Sequence, residues 1–263
     1  MTRYFITPPY ITLGGFNYLP SARTYTEYNY LKSGLGSPLK VRHFEYALQL
    51  TKEYFHKCNV IDFGCADGPF LPSLSKYFNH VMGVDKENVF VTMASNIAAD
   101  FDNVDIADNS KLNMIELKSK LRYKYQVLFL LETLEHIGDK DNPWASRASF
   151  VEELFGLLDK DGVIVISVPN MVGIPFLIQR AGLFVFNAKR DKLSFSELLR
   201  ATLFNDTTTL EQRWQEWHMS DTRHIGFNHL KLECHLKEKF TIVRKKNILF
   251  QVLYVIKKKN GVE

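Results

Sequence analysis

Cysteine is scarce: Cys58, Cys65 and Cys234 are the only three in 263 residues, with no CxxC spacing and no even set to pair. A zinc ribbon and a disulfide-stapled secreted scaffold are not expected, and a reducing, cytoplasmic setting suits the chain. No apolar run reaches the roughly 18 residues of a membrane span. The first residues are aromatic, proline and glycine, where a signal peptide needs a basic start and a continuous apolar run, so export is not expected. Concentrated charge of one sign is missing too. The formal net charge is only +4 and the lysines are scattered, apart from Lys257-Lys258-Lys259, so nothing specific points to a nucleic-acid partner. What is present is an ordinary composition, 46% hydrophobic and 24% charged, with enough chain for one large domain around a substantial core.

Residues 1–40 form an aromatic N-terminal arm, with Tyr4, Tyr10, Tyr18, Tyr25, Tyr28 and Tyr30 interleaved with prolines and glycines. It is expected to strap over the core or to cover an acceptor pocket, with a short helix near Tyr25 to Leu31. Residues 41–263 are expected as the main domain. A helix from Val41 to about His56 leads into a strand at Val60 to Phe63. There follow helix Phe70 to Phe78, strand His80 to Val84, helix Asn88 to Ala98, strand Asn103 to Ile106, strand Val127 to Leu131, helix Arg147 to Leu158 and strand Val163 to Val168. Almost wholly apolar strands separated by helices imply a parallel sheet covered on both faces. The rhythm changes at the end: helix Leu230 to Glu238 precedes strands Phe240 to Arg244 and Leu249 to Lys257, joined around Lys245-Lys246-Asn247. So short a connection makes that pair antiparallel. The fold expected is α/β: a Rossmann-like, seven-stranded mixed sheet with helices on both faces. Residues 170–228 are too long for a simple connection and are expected as a helical lid or acceptor-binding insertion.

The most informative stretch is Asp62-Phe63-Gly64-Cys65-Ala66-Asp67-Gly68, a buried strand turning through glycines into a helix. Such a turn lets backbone approach a ligand and aims unsatisfied amides at it. A dinucleotide fingerprint would read G-x-G-x-x-G, whereas here Ala66 holds the middle position and Pro69 follows Gly68.

Five segments occur in order: VIDFGCADGPF (Val60 to Phe70), VMGVDKE (Val81 to Glu87), YQVLFLLETLEHIGD (Tyr125 to Asp139), LDKDGVIVISVPN (Leu158 to Asn170) and RHIGFNHLKLECHLKEKF (Arg223 to Phe240). Together they resemble the class I S-adenosylmethionine-dependent methyltransferases, especially the ubiquinone-biosynthesis and related small-molecule group. The resemblance implies S-adenosylmethionine as cofactor. Asp62 would lie near its methionyl end, with Gly64, Cys65 and Gly68 in the loop around it. Asp85, with Lys86 beside it, would bind the ribose, where a carboxylate can accept from both hydroxyls of a diol. Asp105 is the chosen adenine contact, with Asp108 the alternative, and Leu131 and Glu132 would run along the cofactor.

On the acceptor side, His224 and His136 are the candidate catalytic residues, and Glu135-His136 has an alternative structural reading. His218, Asp221, His224 and His229 are concentrated, but H-x-x-D-x-x-H-x-x-x-x-H does not match a helical metal site, so no metal is expected. The segment Met171 to Phe186, followed by Lys189, Arg190 and Lys192, can line an apolar acceptor pocket, pack as a lid, or touch a membrane surface. Trp214 and Trp217, spaced i,i+3, suit core packing slightly better than an aromatic sandwich. The expected activity is methyl transfer to a small, partly hydrophobic acceptor, with oxygen weakly favoured. A protein or nucleic-acid methyltransferase and a non-catalytic scaffold are the alternatives; a homodimer or peripheral membrane contact stays open.

Overall fold

The computed structural model describes residues 3–7, 24–27, 30, 36–139, 141–185, 193–216 and 224–259. Seven strands make one sheet: β1 (Asn59–Phe63), β2 (His80–Asp85), β3 (Val104–Asp108), β4 (Val127–Leu131), β5 (Val163–Pro169), β6 (Phe240–Ile248) and β7 (Gln251–Lys258). Their order across the sheet is β3-β2-β1-β4-β5-β7-β6. The first five strands pair in parallel, while β7 runs antiparallel to both β5 and β6.

The alternation of side chains across the strands explains the two cores. Ile61, Leu128, Leu130, Ile164 and Ile166 face one side, under α4 (Met114–Lys120), α5 (Pro143–Leu154) and α9 (His229–Lys239). Val60, Val127, Phe129, Val163 and Val165 face the other, under α1 (Gly36–Thr51), α2 (Leu71–Tyr77) and α3 (Asn88–Ala98). Both faces of the sheet's centre are therefore buried, as its near-continuous apolar strands require.

Between β5 and α9 lie α6 (Gly173–Val185), α7 (Phe195–Leu203) and α8 (Thr208–Glu216). They enclose a small core of their own, made by Met171, Phe176, Ala201, Leu210 and Ile225. Asn228 ties this excursion to the domain: its amide donates to the Asn205 carbonyl at 3.0 Å and to Thr207 Oγ1 at 3.1 Å, while its side-chain oxygen caps α9. No helix among the described residues is long and apolar enough to cross a membrane.

Three local expectations need correction. The terminal hairpin turns at Leu249-Phe250, and Lys245-Lys246-Asn247 lies inside β6. That run reads as a loop because β6 is an edge strand whose central residues face solvent. Helix α4 was not anticipated; only Leu117 in it is buried, and it is nucleated locally by a capping box between Asn113 and Glu116. The fifth helix begins at Pro143, with the Asn142 side chain accepting from the Ala145 amide, and not at Arg147. Trp217, His218, Asp221, Lys189, Arg190 and Lys192, the Trp214 side chain, and Tyr10, Tyr18 and Tyr28 lie outside the described residues.

Candidate active site

The site is built at the carboxyl ends of β1, β2 and β4, where an open α/β sheet leaves its crevice. After β1 the backbone enters the left-handed region at alternate residues, with φ of +79° at Gly64, +48° at Ala66 and +86° at Gly68. A Cβ on Gly64 would lie 2.4 Å from Thr133 Oγ1, and one on Gly68 would lie 2.8 Å from Leu71 Cδ1. Gly64 is thus demanded by conformation and by space, and Gly68 by conformation above all, since the Leu71 methyl can move aside. Ala66 tolerates the same conformation because its amide is held by Asp85.

Asp85 is the organiser of this turn. Its carboxylate accepts from the Ala66 amide at 2.8 Å and from the Glu87 amide at 3.0 Å. Burial raises its pKa, and these backbone donors work in the opposite direction. Asp62 is buried nearby; burial, and then the charge of Asp85, push it up to about 7. Cys65 turns its thiol inward, where burial raises its pKa, and contributes backbone to the loop: its carbonyl accepts from the Gly68 amide at 2.9 Å. Lys86 is exposed.

The register of β3 places the two adenine candidates at different levels of the sheet. Asp108 lies opposite Asp85 at the carboxyl end, whereas Asp105 lies opposite Met82, three positions further back. There Asp105 meets His80 Nε2 at 3.3 Å and Arg122 at 3.8 Å. The polar segment around β3 admits two registers in sequence, and only strand pairing separates them.

Asp67 is a site residue that sequence reasoning missed. It is fully buried and accepts from Thr26 twice, from the amide at 2.8 Å and from the hydroxyl at 2.6 Å. The described part of the arm is thereby laid over the glycine loop. Neighbouring Tyr25 packs edge-on against Phe90 at 5.8 Å and Tyr30 at 6.1 Å. Burial, followed by the charges of Glu132 and Glu135, raises its phenol well above the ordinary range. No sequence motif announces this contact, because Thr26 and Asp67 belong to distant segments.

Beyond β4, Leu131 is buried and Glu132 takes a φ of +51°. Burial raises the Glu132 carboxyl, against hydrogen bonds from Ser167 (Oγ–Oε1 2.5 Å) and Gln251. Gln251 also meets His43 Nδ1 at 3.2 Å. A single 3-10 turn, Leu134–His136, follows. Arg147 of α5, itself fully buried, donates from Nε to the Leu134 carbonyl and from Nη2 to the Glu135 carbonyl, each at 3.2 Å. Its guanidinium also sits 4.8 Å over the Trp144 ring and 5.2 Å over Phe227. This buried arginine holds the turn in place.

That turn brings His136 to His224, with ring centroids 4.8 Å apart and planes at 65°. His224 adopts a φ of +52°, and burial, then His136 and Lys40, push it down to about 3, so its imidazole is neutral. His229 belongs elsewhere: it starts α9, and its carbonyl accepts from the Tyr254 hydroxyl at 3.4 Å. The sequence names both His136 and His224, but their meeting depends on the whole path through α5 to α8.

Solved structures with the same fold include the N-methyltransferase NodS from Bradyrhizobium japonicum WM9 in complex with S-adenosylhomocysteine. It is 11% identical, with 85% of this chain and 89% of that one covered, at a TM-score of 0.52. Magnesium protoporphyrin IX methyltransferase (ChlM) from Synechocystis PCC 6803, with bound S-adenosylhomocysteine, is 12% identical, with 87% and 89% covered and a TM-score of 0.52. The PH0226 protein of Pyrococcus horikoshii OT3 is 13% identical, with 89% and 96% covered and a TM-score of 0.54. No curated protein sequence matches significantly. The methyltransferase-domain profile matches residues 40–235, well over half of the chain. With the glycine turn and the seven-stranded sheet in place, the chain belongs to the methyltransferase-domain family, as an S-adenosylmethionine-dependent methyltransferase of class I architecture.

Proposed function

We propose that the protein methylates a small, partly hydrophobic acceptor, at a hydroxyl oxygen in preference to nitrogen or carbon. The observation that carries this reading is the contact of two imidazoles, His136 and His224, beside the buried Glu135 at the carboxyl end of β4. A neutral imidazole can accept a hydroxyl proton, a service that an oxygen acceptor needs more than an amine does. The motif likeness to the ubiquinone-biosynthesis group makes hydroxylated aromatic, quinone-like compounds the first acceptors to try, followed by sugars and lipid-linked compounds.

The residues of the glycine turn fit the cofactor. The left-handed backbone at Gly64, Ala66 and Gly68 turns the chain tightly at the end of β1, so that loop amides rather than bulky side chains can border a ligand there. In this proposal Asp62 faces the cofactor's ammonium group, and Asp85 accepts from the ribose diol while keeping its two backbone donors. Asp108, level with Asp85, takes the adenine role that Asp105 is too far back to fill. Cys65 contributes backbone, Lys86 flanks the ribose from the exposed side, and Leu131 and Glu132 border the cofactor. When bound, S-adenosylmethionine supplies a methyl group already activated on a sulfonium. The protein's part is to align the acceptor, exclude water and hold its proton.

Residues 1–40 act as a cover and residues 41–263 as the methyltransferase domain, with 170–228 closing the acceptor side. Free Cys58, Cys65 and Cys234 accord with work in the reducing cytoplasm.

The test is isotope-labelled methyl transfer from S-adenosylmethionine to a panel of hydroxylated acceptors and their amine analogues, read by mass spectrometry. His224→Asn keeps a residue that tolerates left-handed backbone. It should lower kcat by about 100-fold, within the range of general base catalysis, and leave S-adenosylhomocysteine affinity unchanged. Methylation of the amines alone would sink the oxygen preference.

A further inference from the structure

The histidine-rich stretch gives no metal-site spacing in sequence, but the fold assembles a different set of donors. Glu135 and His136 from the 3-10 turn meet His224 from the turn before α9, and one donor atom of each lies within 4.8 Å of the other two. A second, independent observation points to a ligand there. Glu135 is 1% exposed, and neither of its carboxylate oxygens has a hydrogen-bond partner. Buried carboxylates are ordinarily hydrogen-bonded, paired or bound to a metal. Arg147 is close enough to act on Glu135 electrostatically, yet its two hydrogen bonds in this turn go to the carbonyls of Leu134 and Glu135. The carboxylate is left facing the imidazoles.

We infer that Glu135, His136 and His224 form a divalent-cation site whose remaining coordination position takes an oxygen of the acceptor. Two imidazoles and one carboxylate form a donor set of borderline softness, suited to Zn²⁺ or Mn²⁺ more than to Mg²⁺, which prefers oxygen. Donors around one tetrahedral Zn²⁺, each at ~2.1 Å, sit ~3.4 Å apart. The widest separation therefore has to shorten by about 1.4 Å at most, a movement that two side chains can share. Three protein ligands leave one position open, the arrangement of sites that polarise a bound oxygen. The role given to the acceptor rests on the methyl-transfer reading above, with the bound cation taking the place of a free imidazole in easing loss of the hydroxyl proton; the cation site itself does not.

The experiment titrates chelator-treated full-length protein with Zn²⁺, Mn²⁺ and Mg²⁺ by calorimetry, and with Co²⁺ by visible absorption. Wild type, Glu135→Gln and His136→Ala are compared, with folding checked by circular dichroism and S-adenosylhomocysteine binding measured on the same samples. One equivalent of Zn²⁺ or Mn²⁺ should bind to wild type, with a tetrahedral Co²⁺ spectrum and affinity reduced on the order of 100-fold in either variant. No stoichiometric binding by folded wild type, or equal binding by the variants, overturns the site. If Glu135→Gln alone is folded, it decides the comparison. Failure to bind S-adenosylhomocysteine with the metal result intact would instead count against the methyltransferase reading.

Discussion

Gly64→Ala tests the cofactor turn most directly, because two separate penalties can be assigned to one methyl group. At φ +79°, left-handed backbone costs a residue with a Cβ about 1–2 kcal/mol. The new Cβ would also lie 2.4 Å from Thr133 Oγ1 and 2.6 Å from Thr133 Cγ2. Thr133 cannot rotate away freely, since its hydroxyl donates to the Leu131 carbonyl at 3.0 Å. Displacing it adds about 1–3 kcal/mol of overpacking. The sum is about 2–5 kcal/mol, which for a chain of this size lowers Tm by roughly 4–20 °C. Urea denaturation of Gly64→Ala, Thr133→Ala and the double variant would separate the parts. The double variant should recover most of the packing loss and none of the backbone loss. Gly156→Ala is the control, since a Cβ there meets nothing within 4 Å. A Gly64→Ala loss below about 1 kcal/mol would refute the argument.

Two further outcomes concern charge inside the domain. Asp62 has its pKa raised by burial and then by Asp85 to about 7, above the ~3.9 of an unfolded chain, so the unfolded state releases its proton first as pH rises. Wild type should therefore lose stability between about pH 4 and 7 relative to Asp62→Asn, and no further above that; a gap that stays constant from pH 5 to 8 in denaturation curves contradicts this ionisation. Arg147→Met keeps the apolar packing but strands the carbonyls of Leu134 and Glu135, and should cost about 3–5 kcal/mol in urea denaturation; a loss under 1 kcal/mol would show that the arginine does not hold the turn.

The sheet was legible wherever burial leaves a continuous apolar run. Val127–Leu131 and Val163–Val168 read as buried strands because both faces of the sheet are covered. The limits of β6 were not legible, because an edge strand of lysines and arginine has the composition of a loop. The glycine turn could be read from residue type alone, since left-handed backbone at Gly64 and Gly68 leaves a local signature. Asp105 and Asp108 could not be separated, because their difference lies in pairing with β2. Asp67 owes its place to Thr26, and Glu135 meets His224 only after four intervening helices, α5 to α8, have folded. Contacts between distant segments leave no periodicity to read.

The bond between Thr26 and Asp67 gives the arm and the glycine turn a shared equilibrium. Forty-one residues separate its ends, so docking the arm closes a long loop and carries its entropy cost. A ligand that stiffens Asp62 to Gly68 lowers that cost, and by linkage the docked arm strengthens the ligand's hold by the same factor. Substitutions at Thr26, remote in sequence from the turn, should then appear as changes in cofactor residence time, with the arm acting as a clock on product release.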